Sequence, residues 1–161
     1  MPETRSQTRE VQNAALGAGL VWRAAAGYQE QREDSAGLPF THLFLVLPLL
    51  LFADTAQHVE STNPSSGLLK FVSKISPDVL LAVHSRVDRL RDLSLESFRI
   101  GIVCGLLQLD TSSGTVMSLR KTMPDVYDAG TRDLLRSAHR LGRWFGATTP
   151  HELSAHLRVR F

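Results

Sequence analysis

The sequence holds one cysteine, Cys104, among 161 residues, so no disulfide can form within the chain. Nothing in it calls for an oxidising compartment. Cys104 lies in the apolar stretch Ile102-Val103-Cys104-Gly105-Leu106-Leu107, which predicts a small core residue rather than a nucleophile. Long apolar runs are also missing. The strongest, Leu43–Phe52 (LFLVLPLLLF), is ten residues with Pro48 inside it, against about 20 for a membrane-spanning helix. It predicts a buried core element of a cytoplasmic protein with no membrane role. The first residues are polar and mixed in charge, unlike a signal peptide. An excess of one charge is absent too. The 18 Lys and Arg against 16 Asp and Glu leave a net charge of +2, too little to imply a nucleic-acid binder.

Catalytic and cofactor signatures are equally scarce. No serine stands in a nucleophile elbow, and no phosphate loop exists: Gly142 is followed by Arg143-Trp144, not by Lys and Ser or Thr. Gly17 and Gly19 lack the third glycine of a dinucleotide fingerprint and fall inside a helical pattern. His151-Glu152 begins like a zinc-protease motif, but the second histidine, His156, comes five residues later. Five helical steps put the two side chains roughly 140° apart, so one helix cannot aim both at one metal. Asp54 and His58 share a helix face at i, i+4, the spacing of a local polar pair. His42, His84 and His139 are scattered. The expectation is no enzyme, no metal and no cofactor.

What is present is a globular composition, 43% hydrophobic and 21% charged, long enough for one domain with a real core. Residues 1–9 read as a disordered tail and 10–161 as a single helical domain. Val11, Ala15, Ala18, Val21, Ala25 and Tyr28 recur at helical spacing over 10–31. Gly17, Gly19 and Gly27 weaken that helix but allow another element to pack closely. A polar linker over 32–39 ends in Pro39. From Phe40 to about His58 the pattern predicts a buried helix, kinked or started afresh near Pro48, with a strand over 43–47 as the competing reading. A loop follows over 60–66, then a short helix at about 67–75. Ser76-Pro77-Asp78 opens a helix running to about Asp92, by capping serine, first-turn proline and an acid at the dipole. Ser94 is placed as the cap of the next helix, with Leu95, Phe98, Ile102 and Leu106 as its buried stripe.

Leu107-Gln108-Leu109-Asp110 alternates as a strand, 111–114 turns, and Thr115 to Leu119 returns. Helix, turn, helix, hairpin over 77–119 is the winged-helix order. The predicted fold class is therefore mainly α with a small β-hairpin around a winged-helix-like core. Its wing carries no Lys or Arg, and its recognition helix offers only Glu96, Arg99 and Gln108 as polar readers, so sequence-specific DNA reading is not expected.

Charge is unevenly placed: residues 1–60 carry 4 Lys and Arg against 7 Asp and Glu, and 120–161 carry 8 against 4. That polarity suits a protein joining two partners. In the last long helix, 131–145, Leu134, Leu135, Ala138, Leu141 and Phe145 face one way. Arg132, Arg136, Arg140 and Arg143 cluster opposite, at steps of 4, 4 and 3. This stripe is either a solvated face or a surface for an acidic partner. Trp144, at the edge of the buried stripe, either covers the rim of the core or anchors a partner. Trp22 poses the same choice, and a homo-oligomer would hide either ring. Thr149-Pro150 opens a last short helix, with Val159 and Phe161 as a short docking strand.

These features together resemble the middle component of bacterial three-component ABC systems. The matching residues are Gly27-Tyr28 ending the first helix, Pro39–Leu51 (PFTHLFLVLPLLL), Gly105-Leu106-Leu107 entering the hairpin, and Leu141-Gly142-Arg143-Trp144-Phe145 with the tail to Val159. Asn13-Ala14 replaces the family's usual Asn-Pro, and Phe52-Ala53-Asp54-Thr55 replaces its charged stretch. The resemblance implies a small cytosolic protein encoded between an ABC-type ATPase and a third, sensor or effector-linked component. Such systems are inferred to act against phage or other invading elements. It implies a non-catalytic adaptor with those two proteins as partners; the residue spacing makes Arg132, Arg136, Arg140, Arg143 and Trp144 the expected docking surface. The alternative is a DNA-associated regulatory winged-helix protein that touches nucleic acid non-specifically through the basic face. A small enzyme using His151, Glu152 and His156 is a third option.

Overall fold

The computed structural model describes residues 13–119, 122–125 and 127–161; the expected tail over 1–9 lies outside them. Asn13 accepts from the Leu16 N–H at 2.9 Å and so starts α1, Ala14–Gln31. This helix is built largely from Ala and Gly, and it is buried around most of its circumference from Gly17 to Tyr28. Two helices press on it. On one side lies α7, Ala129–Gly146. On the other lies α6, Arg91–Val103, whose buried face is Ser94, Ser97, Phe98 and Gly101. Small residues on both partners bring the backbones close: a Cβ at Gly17 would fall 2.1 Å from the Ser97 hydroxyl oxygen.

That small-residue seam corrects the expected stripe of Leu95, Phe98, Ile102 and Leu106. Phe98 is buried, but Leu95 and Leu106 are half-buried and Ile102 is exposed. Ser94 is no cap either. The helix begins at Arg91, directly after α5, and Ser94 is 1% exposed within it. Cys104 is exposed rather than in the core. The apolar run Ile102–Leu107 straddles the end of α6, where the chain leaves the seam, so its local hydrophobicity does not report burial.

The Phe40–His58 region is helical, as the main reading expected, and it is not a strand. It forms α2, Phe40–Leu50, and α3, Ala53–Ser61, bent by 100° at the break between them. The break falls after Pro48, at Phe52, which is extended (φ −118°, ψ 128°). Pro48 stands in the last turn of α2, where it removes one helical hydrogen bond. Leu45 to Leu50 are all buried there, and that burial outweighs the loss. Among the described residues, no single helix is long and apolar enough to cross a membrane.

The remaining helices are α4, Gly67–Ser73, α5, Pro77–Arg89, and α8, Pro150–Leu157. Ser76 caps α5 as its sequence predicts. Thr149 and Glu152 form a reciprocal capping box on α8. The hairpin is β2, Leu107–Asp110, and β3, Thr115–Ser118, paired antiparallel with Leu109 opposite Val116. Its turn is held by Asp110, which accepts from the Ser112 N–H at 2.9 Å. A further strand, β1, Leu38–Pro39, lies inside the expected linker and pairs with the far side of β3. Two residues are too short to leave a periodic signal, and Pro39 is tolerated because β1 is an edge. The molecule is mainly helical with a three-stranded antiparallel sheet of order β1-β3-β2.

Candidate functional site

Asp128 caps α7 by accepting from the Thr131 N–H at 2.8 Å. The helix then divides as its periodicity predicts. Leu135, Ala138, Leu141 and Phe145 are buried against α1 and its neighbours. The structure distributes the five sequence-derived residues over two environments. Arg136 points to solvent, its side chain 63% exposed, with a long contact of 3.4 Å to Asp133. Arg143 is exposed and its Nε donates to Gln31 Oε1 at 3.3 Å. Arg132 is half-buried, donating to Asp125 at 2.8 Å and to the Tyr127 carbonyl at 3.1 Å.

Arg140 and Trp144 turn inward. One nitrogen of Arg140 donates to the carbonyls of Val59, Glu60 and Thr62 at 2.9, 2.6 and 3.1 Å. Those carbonyls belong to the last turn of α3 and the residue after it. Helix C-termini leave such groups unsatisfied and partly negative, so a guanidinium there is a structural cap supplied from another element. Trp144 is 3% exposed. Its indole N–H donates to the Pro64 carbonyl at 2.9 Å, and its ring stacks on Phe71 at 5.6 Å. Of its two readings, rim or anchor, the geometry leaves it packed in the core. Trp22, 1% exposed, is likewise covered within the chain.

Three side chains absent from the sequence-derived set, His139, Arg23 and Glu30, join the exposed arginines. His139 contacts Glu30 of α1 at 2.7 Å. Burial holds its pKa below the usual histidine value, with Arg23 and Arg143 pushing the same way and Glu30 opposing them. The face therefore comprises Arg136, His139 and Arg143 from α7 with Arg23 and Glu30 from α1. No local signal joins residues about 110 positions apart.

Elsewhere, Asp54 is paired with Arg86 and not with His58. The contact is bidentate at 2.8 and 2.6 Å, and the guanidinium lies 4.0 Å over the Phe52 ring. The pair borders a cleft of about 490 Å³ with Arg89 on its rim. His151 is exposed and His156 half-buried on α8. Among the described residues, no three His, Cys, Asp or Glu side chains come close enough together to hold a metal. Val159 is buried, but no strand forms there.

His42 is the deepest ionisable ring, 2% exposed, and desolvation lowers its pKa to about 4. The unfolded chain binds a proton near 6.5 and the folded chain does not, so stability falls as pH drops from about 6.5 towards 4. The loss should reach up to about 3 kcal/mol. Urea denaturation at pH 7.5 and pH 4.5 checks this, with His42→Gln showing a smaller difference between the two. An equal difference in both proteins would assign the acid effect to other groups.

The family model described as ABC-three component (ABC-3C) system Middle Component 3 matches residues 2–161. No curated protein and no solved structure matches the chain. The match spans almost the whole sequence, and the protein belongs to this family.

Proposed function

We propose that this middle component is a non-catalytic adaptor of the cytoplasm. It links an ABC-type ATPase to a sensor or effector component, in a bacterial system directed at phage or other invading elements. Membership of a three-component system implies partner components. The observation that carries the reading is the pair of solvent-facing guanidinium groups on Arg136 and Arg143, with half-buried His139 between them and Arg132 at the end of the face. Arg140 and Trp144 support it from beneath by fixing α7 to α3 and to Pro64. Exposed guanidinium groups in planar forks suit carboxylates of an acidic partner surface. The hairpin β2–β3 after the helix pair α5–α6, with β1 from residues 38–39 joining β3 on its other edge, also supports a winged-helix-like reading. Its wing, 111–114, lacks Lys and Arg, which favours protein docking over phosphate contact.

The test is capture of tagged protein from its native host, with and without nuclease. An ABC ATPase that co-purifies after nuclease treatment is the expected result. Loss of every partner on nuclease treatment would replace the adaptor reading with the nucleic-acid one. The double variant Arg136→Glu, Arg143→Glu should reduce captured ATPase at least about tenfold. It should change stability by no more than about 0.5 kcal/mol, since both side chains are exposed and their contacts long.

A further inference from the structure

The segment after α8 plays no part in that adaptor surface. Arg158 ends the helix in the left-handed region, at φ 54° and ψ 36°, where residues other than glycine are uncommon. Val159 then docks against its own helix: its N–H donates to the Ser154 carbonyl at 3.2 Å, and its carbonyl accepts from the Ser154 hydroxyl. Two residues on, the Phe161 ring lies flat on His42, with centroids 5.0 Å apart and planes within 12°. Phe161 itself is 52% exposed.

His42 is boxed on its other sides by the edges of Tyr28 and Phe145, at 6.5 and 6.1 Å. Both of those rings are buried. Nδ1 faces the Thr41 hydroxyl at 3.2 Å, while the buried Nε2 has no hydrogen-bond partner among the described residues. A neutral imidazole can leave Nε2 bare as an acceptor. An imidazolium carries an N–H at both nitrogens, and an N–H without an acceptor in an apolar box is costly. Water must therefore reach Nε2 before the ring can hold a proton.

Only one wall of the box offers that route. Tyr28 belongs to α1 and Phe145 to α7, both fixed in the core. Phe161 hangs on a short segment beside a cleft of about 230 Å³ lined by Phe44, Leu45, Val87 and Arg160. The ionisable groups facing this region are Tyr28 from α1, Asp88 from α5, Arg91 from α6 and Arg160 from the segment; α7 supplies only the Phe145 ring. Arg91, Arg160 and Asp88 line the cleft, and it is burial away from water that disfavours a positive charge behind the closed ring.

We propose that residues 158–161 form a strap that closes on His42 through the Phe161 ring and opens when His42 takes a proton. Opening hydrates Nε2 and removes Phe161 from the wall of the cleft, uncovering Phe44, Leu45 and Val87 together. The depressed pKa of the buried imidazole agrees with this coupling.

NMR titration of the His42 ring in the whole chain tests the strap. In Phe161→Ala the titration midpoint should rise by at least about one pH unit relative to wild type, towards 6.5. Arg160→Ala should leave it much closer to wild type. A second measurement needs no variant. Between pH 7.5 and pH 4.5 the Val159 amide should lose at least about tenfold of its exchange protection, while Leu141 and Phe145 keep theirs. Equal midpoints in wild type and Phe161→Ala would overturn the strap. So would loss of protection at Val159 and Leu141 together, which would mean that acid unfolds the bundle rather than opening the segment.

Discussion

Replacing Gly142 by alanine should destabilise the protein by about 3 kcal/mol or more, although it adds a single methyl group. A Cβ at Gly142 would stand 1.9 Å from the Ala24 carbonyl oxygen and 2.7 Å from its carbon. At Gly27, on the facing helix, a Cβ would stand 2.0 Å from the His139 carbonyl oxygen. These obstacles are backbone atoms of packed helices, so no rotamer change can make room. α1 and α7 would have to separate, and each position would spread the contact on which the other depends. The corresponding fall in melting temperature is about 6–12 °C. Gly19→Ala is the matched control: its nearest obstacle is a Leu135 methyl at 3.2 Å, which can move. Thermal unfolding followed by circular dichroism compares the three proteins. If Gly142→Ala melted within a degree or two of wild type, the α1–α7 crossing could not be as close as described.

Trp144→Ala should cost about 3–5 kcal/mol, the range for deleting a large buried aromatic. The substitution empties the space against Phe71 and also strands the Pro64 carbonyl, which accepts the indole N–H. Trp144→Phe keeps a ring on Phe71 while removing the hydrogen bond and part of the ring volume, so it should lose closer to about 1–3 kcal/mol. Urea denaturation measures both. The contrast with the arginines is the informative part. Arg136→Glu and Arg143→Glu should change partner capture and spare stability, whereas Trp144→Ala should reduce stability first. A Trp144→Ala protein as stable as wild type yet unable to capture partners would return this residue to the docking surface.

Much of the chain's local structure can be read from short-range chemistry. Ser76-Pro77-Asp78 and Thr149-Pro150-His151-Glu152 each set a helix start through bonds that span at most three residues. Leu107–Asp110 and the turn after it carry the hairpin in the same way. The helical period of 131–145 separates an apolar face from an arginine face without reference to the rest of the protein. Errors occur where distant groups decide. Ser94 has the chemistry of a cap, but α6 already begins at Arg91, almost directly after α5, which leaves Ser94 inside the helix on its buried face. Cys104 sits among apolar neighbours, yet the helix end carrying it projects into solvent. Pro48 has the chemistry of a helix breaker, but the buried leucines around it carry α2 two residues further, to Leu50.

The arginine face shows the same division within a single helix. Spacing alone put Arg132, Arg136, Arg140 and Arg143 on one side of α7, and the amino-acid pattern also placed the chain among middle components. Spacing could not distinguish Arg140 from Arg136, because that difference lies in what stands opposite. The end of α3 presents open carbonyls to Arg140, while Arg136 faces water. His42 and Phe161 differ in the same way, since nothing near either residue signals a stack between positions about 120 residues apart. Caps, turns and amphipathic faces act over one or two turns of backbone and were set by the sequence itself. Burial, ion pairing and the assignment of a side chain to support or to surface depend on which elements pack together, and only the tertiary structure decided those.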